Sequence, residues 1–272
     1  MVRSLWTAAT GMNAQQTNVD TIANNLANVN TVGYKTQVNQ FKSLLYQNLQ
    51  TETTSANGAN KPTGAQVGLG VRSASITTVF STGNLTASEN DAAFALVGDG
   101  FFAVRGNDGE TYYTKNGNFN WAINTKGGVS LCTSEGYPVL DSTGKAIELN
   151  GDYQTSKITI SSDGTICYPD DKNNPASLGI TIGVYQFSNP GGLEKEGNTM
   201  YSVSAASGPA LNEATTAGLQ KTEVRQGYLE SSNVQVVDEM VNLIVAQRAY
   251  EMNSKAITTT DEMMQQANNL KQ

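Results

Sequence analysis

The sequence predicts an α+β protein in which heptad helices at the two ends of the chain form a discontinuous coiled-coil domain around an inserted, mainly antiparallel β-domain. Three observations carry that expectation. Apolar residues recur every seven positions from Met1 to Asn30, and again from Val236 to Met264. Between them, short β-branched and aromatic runs alternate with Gly, Asn and Asp turn signals. No proline precedes Pro62 or follows Pro209, so nothing interrupts either terminal pattern.

In the first helix, Leu5, Met12, Val19 and Leu26 form one ladder. Met1, Ala8, Gln15, Ile22 and Val29 form a second, three positions on, with Gln15 as its polar rung. Together they make a mostly apolar seam of coiled-coil type. The remaining surface is rich in Asn and Gln and almost uncharged. Such a helix gains most of its stability by packing, so the seam demands a partner. Asn30 to Gly33 reads as a helix stop, with Gly33 at positive φ. Val38, Phe41, Leu45 and Leu49 then follow helical spacing and predict a short second helix from about Gln37 to Leu49. Residues 1–50 are thus read as the first part of the helical domain, and 51–66, rich in Thr, Asn and Gly around Pro62, as an extended connector.

From residue 67 to residue 226 the pattern is that of strands. Candidates are Ile76–Phe80, Ala93–Val97, Phe101–Arg105, Tyr112–Thr114, Val129–Leu131, Tyr137–Leu140, Ile147–Leu149, Ile158–Ile160, Ile166–Tyr168 and Ile180–Phe187. Gly98-Asp99-Gly100, Asp108-Gly109 and Asp163-Gly164 are hairpin signals between them. The last element lies in residues 227–272, the second part of the helical domain. Ser232-Asn233-Val234-Gln235 has the form of a capping box. Val236, Leu243, Tyr250, Ile257 and Met264 form its heptad ladder. The neighbouring ladder of Ala246, Asn253, Thr260 and Ala267 is small or polar and admits a close backbone. Val237, Met240, Val241, Ile244 and Val245 make its first turns apolar nearly all round. The two terminal helices are expected to pair antiparallel, and a surface this apolar belongs in an assembly larger than that pair.

Composition narrows the function. The net charge of −7 argues against nucleic acid. The absence of His removes the commonest general base and metal ligand, and no cofactor is expected. Cys132 and Cys167 lie in no CxxC pattern and read as a structural disulfide or as two unpaired thiols. No run approaches the roughly 20 apolar residues of a membrane span. Met1–Thr7 carries one Arg and is followed closely by the polar run Asn13–Asn18, so no cleavable signal is expected.

The ends of the chain carry a resemblance. Ala23-Asn24-Asn25-Leu26-Ala27-Asn28-Val29-Asn30-Thr31-Val32-Gly33-Tyr34-Lys35 resembles the N-terminal signature of the bacterial flagellar basal-body rod and hook family. Arg3–Met12, Leu44–Gln47, Gln226–Glu230 and Val245–Ala256, the last with Gln247, Arg248 and Tyr250, look most like its distal-rod branch. The resemblance implies a structural subunit that polymerises through its terminal helices into the rigid drive shaft transmitting motor torque to the hook. It implies proximal-rod and hook proteins at the two ends, and bushing rings where an outer membrane is present. It also implies delivery by the flagellar type III export apparatus to the basal body, without a cleaved signal. A segment here containing Tyr46, Gln47 and Pro62 is implied to stiffen the rod.

Other readings stand beside it. Asp163, Asp170 and Asp171 are the densest acidic cluster of the β-domain and would suit a secreted cell-wall enzyme, but each sits in a turn or a solvated loop. A membrane-active amphipathic protein would need Lys and Arg on its polar faces. Within the family, a proximal-rod paralogue is the alternative. For Asn24, Asn25 and Asn28, capping competes with amide hydrogen bonding between subunits.

Overall fold

The computed structural model describes residues 2–50, 64–124, 127–150, 153–170, 174–216 and 218–270. Met1, most of the expected connector with Pro62, and Asp171 lie outside the described residues. The architecture is α+β: helix α1 (Val2–Ala27) and helix α2 (Val236–Asn269) bracket a series of antiparallel strands.

The chain divides into two compact units. One comprises residues 1–27, 37–78 and 235–272; the other comprises 28–36 and 79–234. Residues 67–78, expected among the outer strands, therefore group with the helices.

In the first unit α1 and α2 run antiparallel. A Cβ on Gly11 would lie 2.9 Å from Asn253 Nδ2, while further along α1 Asn25 Nδ2 donates to Glu239 Oε1 at 3.3 Å. The helix expected over Gln37–Leu49 does not form. That stretch is strand β1 (Gln37–Ser43) followed by β2 (Tyr46–Gln50), which pair with β4 (Val71–Thr78) and β3 (Ala65–Gly68), respectively. β1 pairs without a gap, and the bulge opposite Gln40 and Phe41 takes up Ala74 of β4. Val38, Phe41, Leu45 and Leu49 lie three and four apart and imitate helical spacing, while non-local pairing with β4 and β3 decides the outcome.

The expected capping box does not form either. α2 starts at Val236 with Gln235 as N-cap and no side-chain cap bond. Ser232 Oγ instead accepts from Val234 N at 3.3 Å. Asn233 Oδ1 accepts from Thr36 N at 2.7 Å and its Nδ2 donates to Val79 O at 3.0 Å. With Asn233 committed there, the start of the helix moves on.

The second unit is built around a six-stranded sheet with the order Glu194–Gly197, Met200–Ser202, Thr111–Thr114, Phe101–Arg105, Val184–Gln186, Leu211–Asn212. The strand Phe101–Arg105 is apolar along most of its length because both its faces are covered. Phe102 and Val104 join a core with Phe94, Phe119, Leu131, Val139 and Ile166. Phe101 and Ala103 enter a second core with Tyr113, Leu140, Phe187 and Tyr201. Successive side chains on a strand point to opposite faces, so one short run anchors two cores. Edge-to-face contacts order the second core: Phe101 lies 5.4 Å and Tyr113 4.9 Å from Phe187. Tyr137–Leu140, expected as a strand, contributes isolated bridges through Pro138, Val139 and Leu140. Both cysteines are free.

Phe102→Ala should cost about 3–5 kcal/mol by opening a cavity in the larger core. Ile123→Ala, at the exposed end of the strand Asn120–Ile123, should change stability by about 0.5 kcal/mol or less. Denaturant unfolding followed by tyrosine and tryptophan signals measures both; equal costs would contradict the two-core description.

Candidate functional site

The residues expected to carry assembly sit on the paired helices, and their order of burial is informative. On α1 the buried positions are Ala8, Gly11, Ala14, Thr21, Ile22 and Asn25. On α2 they are Glu239, Ala246 and Thr260. The expected apolar ladders lie beside this line. Leu5, Met12, Val19 and Leu26 are half-buried, as are Leu243, Ile257 and Met264, while Val236 and Tyr250 are exposed. The inner contact thus uses mostly small side chains, and small side chains bring helix axes closer together. At Gly11 an added Cβ would press on the amide end of the Asn253 side chain, which would have to shift.

The outer surface of α2 is then unusually apolar. Val237 is 73% exposed, Val245 63% and Ile244 58%, with Met240 and Val241 beside them. A patch of this kind on a soluble chain marks an interaction surface. Gln247 and Arg248 are also exposed, and Arg248 Nη1 reaches Glu251 Oε2 at 2.8 Å in solvent. Such a pair contributes little energy. Tyr46 and Gln47 lie exposed on β2.

The signature residues at the end of α1 have internal duties. Asn25 is buried, with Oδ1 accepting from Gln37 N at 2.9 Å and Nδ2 donating to Gln37 O at 2.8 Å. Its amide therefore acts like one rung of a strand ladder at the start of β1. Asn24 is exposed. In the second unit Asn28 Oδ1 accepts from Thr31 Oγ1 at 3.1 Å, closing the turn in which Val29 is half-buried. Gly33 has φ +71°, and a Cβ there would lie 2.6 Å from Asn116 N. Glycine is required on both counts. Its N–H donates to Glu230 O at 2.8 Å.

Sequence reasoning missed the charged centre of that unit. Lys35 Nζ lies 2.6 Å from Glu230 Oε1, with both side chains 0% exposed. Lys35 Nζ also donates to Ser81 O at 2.7 Å, and Glu230 Oε1 accepts from Gly83 N at 2.8 Å. Nearby, Lys115 Nζ donates to Gly98 O at 2.7 Å and sits 5.0 Å from the centre of the Phe101 ring. Burial pulls the Lys115 pKa down to about 8, against the opposing pull of Glu230; Lys35 adds to the lowering. Lys35 and Glu230 fall within stretches of the family resemblance, but no periodicity marks the three residues as one buried cluster, because the partners are far apart in sequence. Among the described residues no three His, Cys, Asp or Glu side chains gather as a metal site requires.

Comparison with known proteins matches both ends of the chain and part of its middle. A flagella basal body rod protein model matches residues 5–35. A flagellar hook protein FlgE/F/G D1 domain model matches 95–168, and a flagellar basal body rod FlgEFG protein C-terminal model matches 225–270. The flagellar basal-body rod protein FlgG of Borreliella burgdorferi is 42% identical over 277 residues, covering 100% of this chain and 99% of that protein. FlgG of Buchnera aphidicola subsp. Schizaphis graminum is 39% identical over 273 residues, with 99% and 100% covered. FlgG of Bacillus subtilis is 38% identical over 271 residues, with 100% of each covered.

Lys115 gives the second unit a pH signature. Its folded pKa lies below the unfolded value of 10.5. Between the two the unfolded chain binds more protons, so stability rises with pH. From pH 8 to about pH 10 the gain should reach about 2 kcal/mol. Above that range Tyr113, raised to about 12 by burial, reverses the trend. Urea unfolding across this range should show the rise in the parent and lose it in Lys115→Met; a flat parent profile would contradict the assignment.

Proposed function

The chain belongs to the flagellar basal-body rod protein family, and on that footing we propose that it is a subunit of the distal rod, polymerising through its terminal helices into a rigid shaft that carries motor torque to the hook. The observation that carries this reading is the apolar outer face of α2, left uncovered in a helix pair whose inner line is small residues. A face of that kind is stabilised when neighbouring copies cover it. Because each copy would use the same heterologous contact, the product is an open helical polymer. In this reading residues 1–50 and 227–272 serve assembly, and most of 67–226 forms the β-rich unit. The stretch from Tyr46 to Thr63 stiffens the tube, with Tyr46 and Gln47 on β2 at its start.

The remaining roles follow from the same proposal. The subunit meets proximal-rod proteins at one end of its polymer and hook proteins at the other, and bushing rings where an outer membrane exists. It reaches the basal body through the type III export apparatus without a cleaved signal. Its role is mechanical rather than catalytic, and it uses no cofactor.

Ile244→Asp and Leu243→Asp should each abolish rod completion while the β-rich unit keeps its unfolding transition. Losing a buried Ile or Leu is worth roughly 1.5–3 kcal/mol. An unpaired carboxylate in the interface adds a desolvation cost. Every subunit repeats both losses. Cells should export the variants but lack hooks and fail to swim. Glu251→Ala, at an exposed site bonded to Arg248, should be mild. Normal swimming by the Ile244→Asp strain would refute the assembly role of this face.

A further inference from the structure

We propose that the groove between α1, α2 and β1 seats the first turns of α1 from a second copy of this chain, through Trp6 and Arg3. The proposal rests on the self-assembly reading above and names the two surfaces that meet. The groove encloses about 300 Å³. Val38, Phe41 and Val245 give it an exposed apolar wall. Its lining also holds two buried polar atoms without a hydrogen-bond partner, Asn39 Nδ2 and Glu239 Oε2. Each such atom costs stability until it is paired. Among the described residues lining the groove Glu239 is the only charged one, and Asp238 adjoins it in sequence. The occupant must therefore bring an apolar group, a cationic donor and a spare oxygen.

One stretch of this chain offers that set. Arg3, Trp6 and Thr7 are three and four apart on α1 and share a face. Trp6 is 69% exposed, and Arg3 is exposed with no ion pair among the described residues. Thr7 Oγ1 donates its hydrogen to Ser4 O at 3.0 Å, which leaves its lone pairs to accept from Asn39 Nδ2. The indole then covers the Val38, Phe41 and Val245 wall, and the guanidinium pairs with Glu239 Oε2. Gln15 also lines the groove. Trp and Arg are the side chains in which interface energy concentrates.

Position along the helix fits the same use. Trp6 and Ile22, the latter in the groove, are about 24 Å apart on α1 at 1.5 Å per residue. Trp6 cannot fill the groove of its own chain. Used head to tail, the two surfaces generate an open row of copies.

The sequence contains two tryptophans, so Trp121→Phe makes Trp6 the only reporter. The full-length Trp121→Phe chain is followed by fluorescence and sedimentation as concentration rises. On polymerisation the emission should move to the blue and acrylamide quenching should fall severalfold. Adding Phe41→Asp, or Val245→Asp on the facing helix, should raise the critical concentration about tenfold or more and remove the shift. Circular dichroism identifies the variant that keeps the parent fold. A polymer whose Trp6 stays solvent-exposed overturns the docking proposal and leaves self-assembly standing. A blue shift that survives both groove variants overturns the groove as the seat. A parent that stays monomeric at every concentration overturns self-assembly and this proposal together.

Discussion

The constraint on which the helical unit depends is the close approach of α1 and α2 through small side chains. Gly11 lies against the Asn253 side chain, and Ala8, Ala14 and Ala246 are buried in the same unit. A helix pair built this way spends little of its apolar surface on itself. Leu, Met and Val side chains on the neighbouring ladders are only half covered, and the first half of α2 presents Val237, Met240, Val241, Ile244 and Val245 outward. Small residues inside and large apolar residues outside are the reverse of a self-sufficient two-helix domain. The inversion suits the proposed polymer, in which neighbouring copies would complete the packing.

Polar side chains do a different job, which is to fix where the chain leaves each unit. Asn25 ties α1 to Gln37 in one unit. In the other, Asn233 ties Thr36 to Val79, and Lys35 with Glu230 holds three backbone segments around Ser81 and Gly83. A buried pair of this kind is weak evidence for added stability, because desolvating both charges costs much of what their attraction returns. Its worth is geometric: an alternative register would leave a charge buried alone. The residues that define the family signature therefore include intramolecular fasteners, and Asn25 in particular has its amide occupied within its own chain.

Much of the architecture was legible in the sequence because it is periodic. Heptad spacing marks α1 and α2, and short apolar runs bounded by glycine turns mark strands such as Phe101–Arg105. The failures share a cause, which is that local pattern cannot see a distant partner. Val38, Phe41, Leu45 and Leu49 imitate a helix by lying three and four apart, and pairing with Val71–Thr78 and Ala65–Gly68 makes the stretch two strands. Ser232–Gln235 has the letters of a capping box, but Asn233 is drawn away by Thr36 and Val79. The ladders were found, yet the face that turns inward is set by which side chains are small enough for close approach. Lys35, Glu230 and Lys115 were invisible, since nothing local distinguishes a lysine that will be buried from one that will not.

The central claim is that the helical ends are completed by neighbours while the β-rich unit is complete by itself. Hydrogen–deuterium exchange on the full-length chain tests it most directly, once in a verified dilute monomer and once in the polymer. The amides of Val2–Ala27 and Val236–Asn269 should exchange rapidly in the monomer and become strongly protected on assembly. Those of Phe94–Val97 and Phe101–Arg105 should be equally slow in both. Helices protected in the monomer as firmly as those core strands would show that the pair is self-sufficient, and would contradict the account.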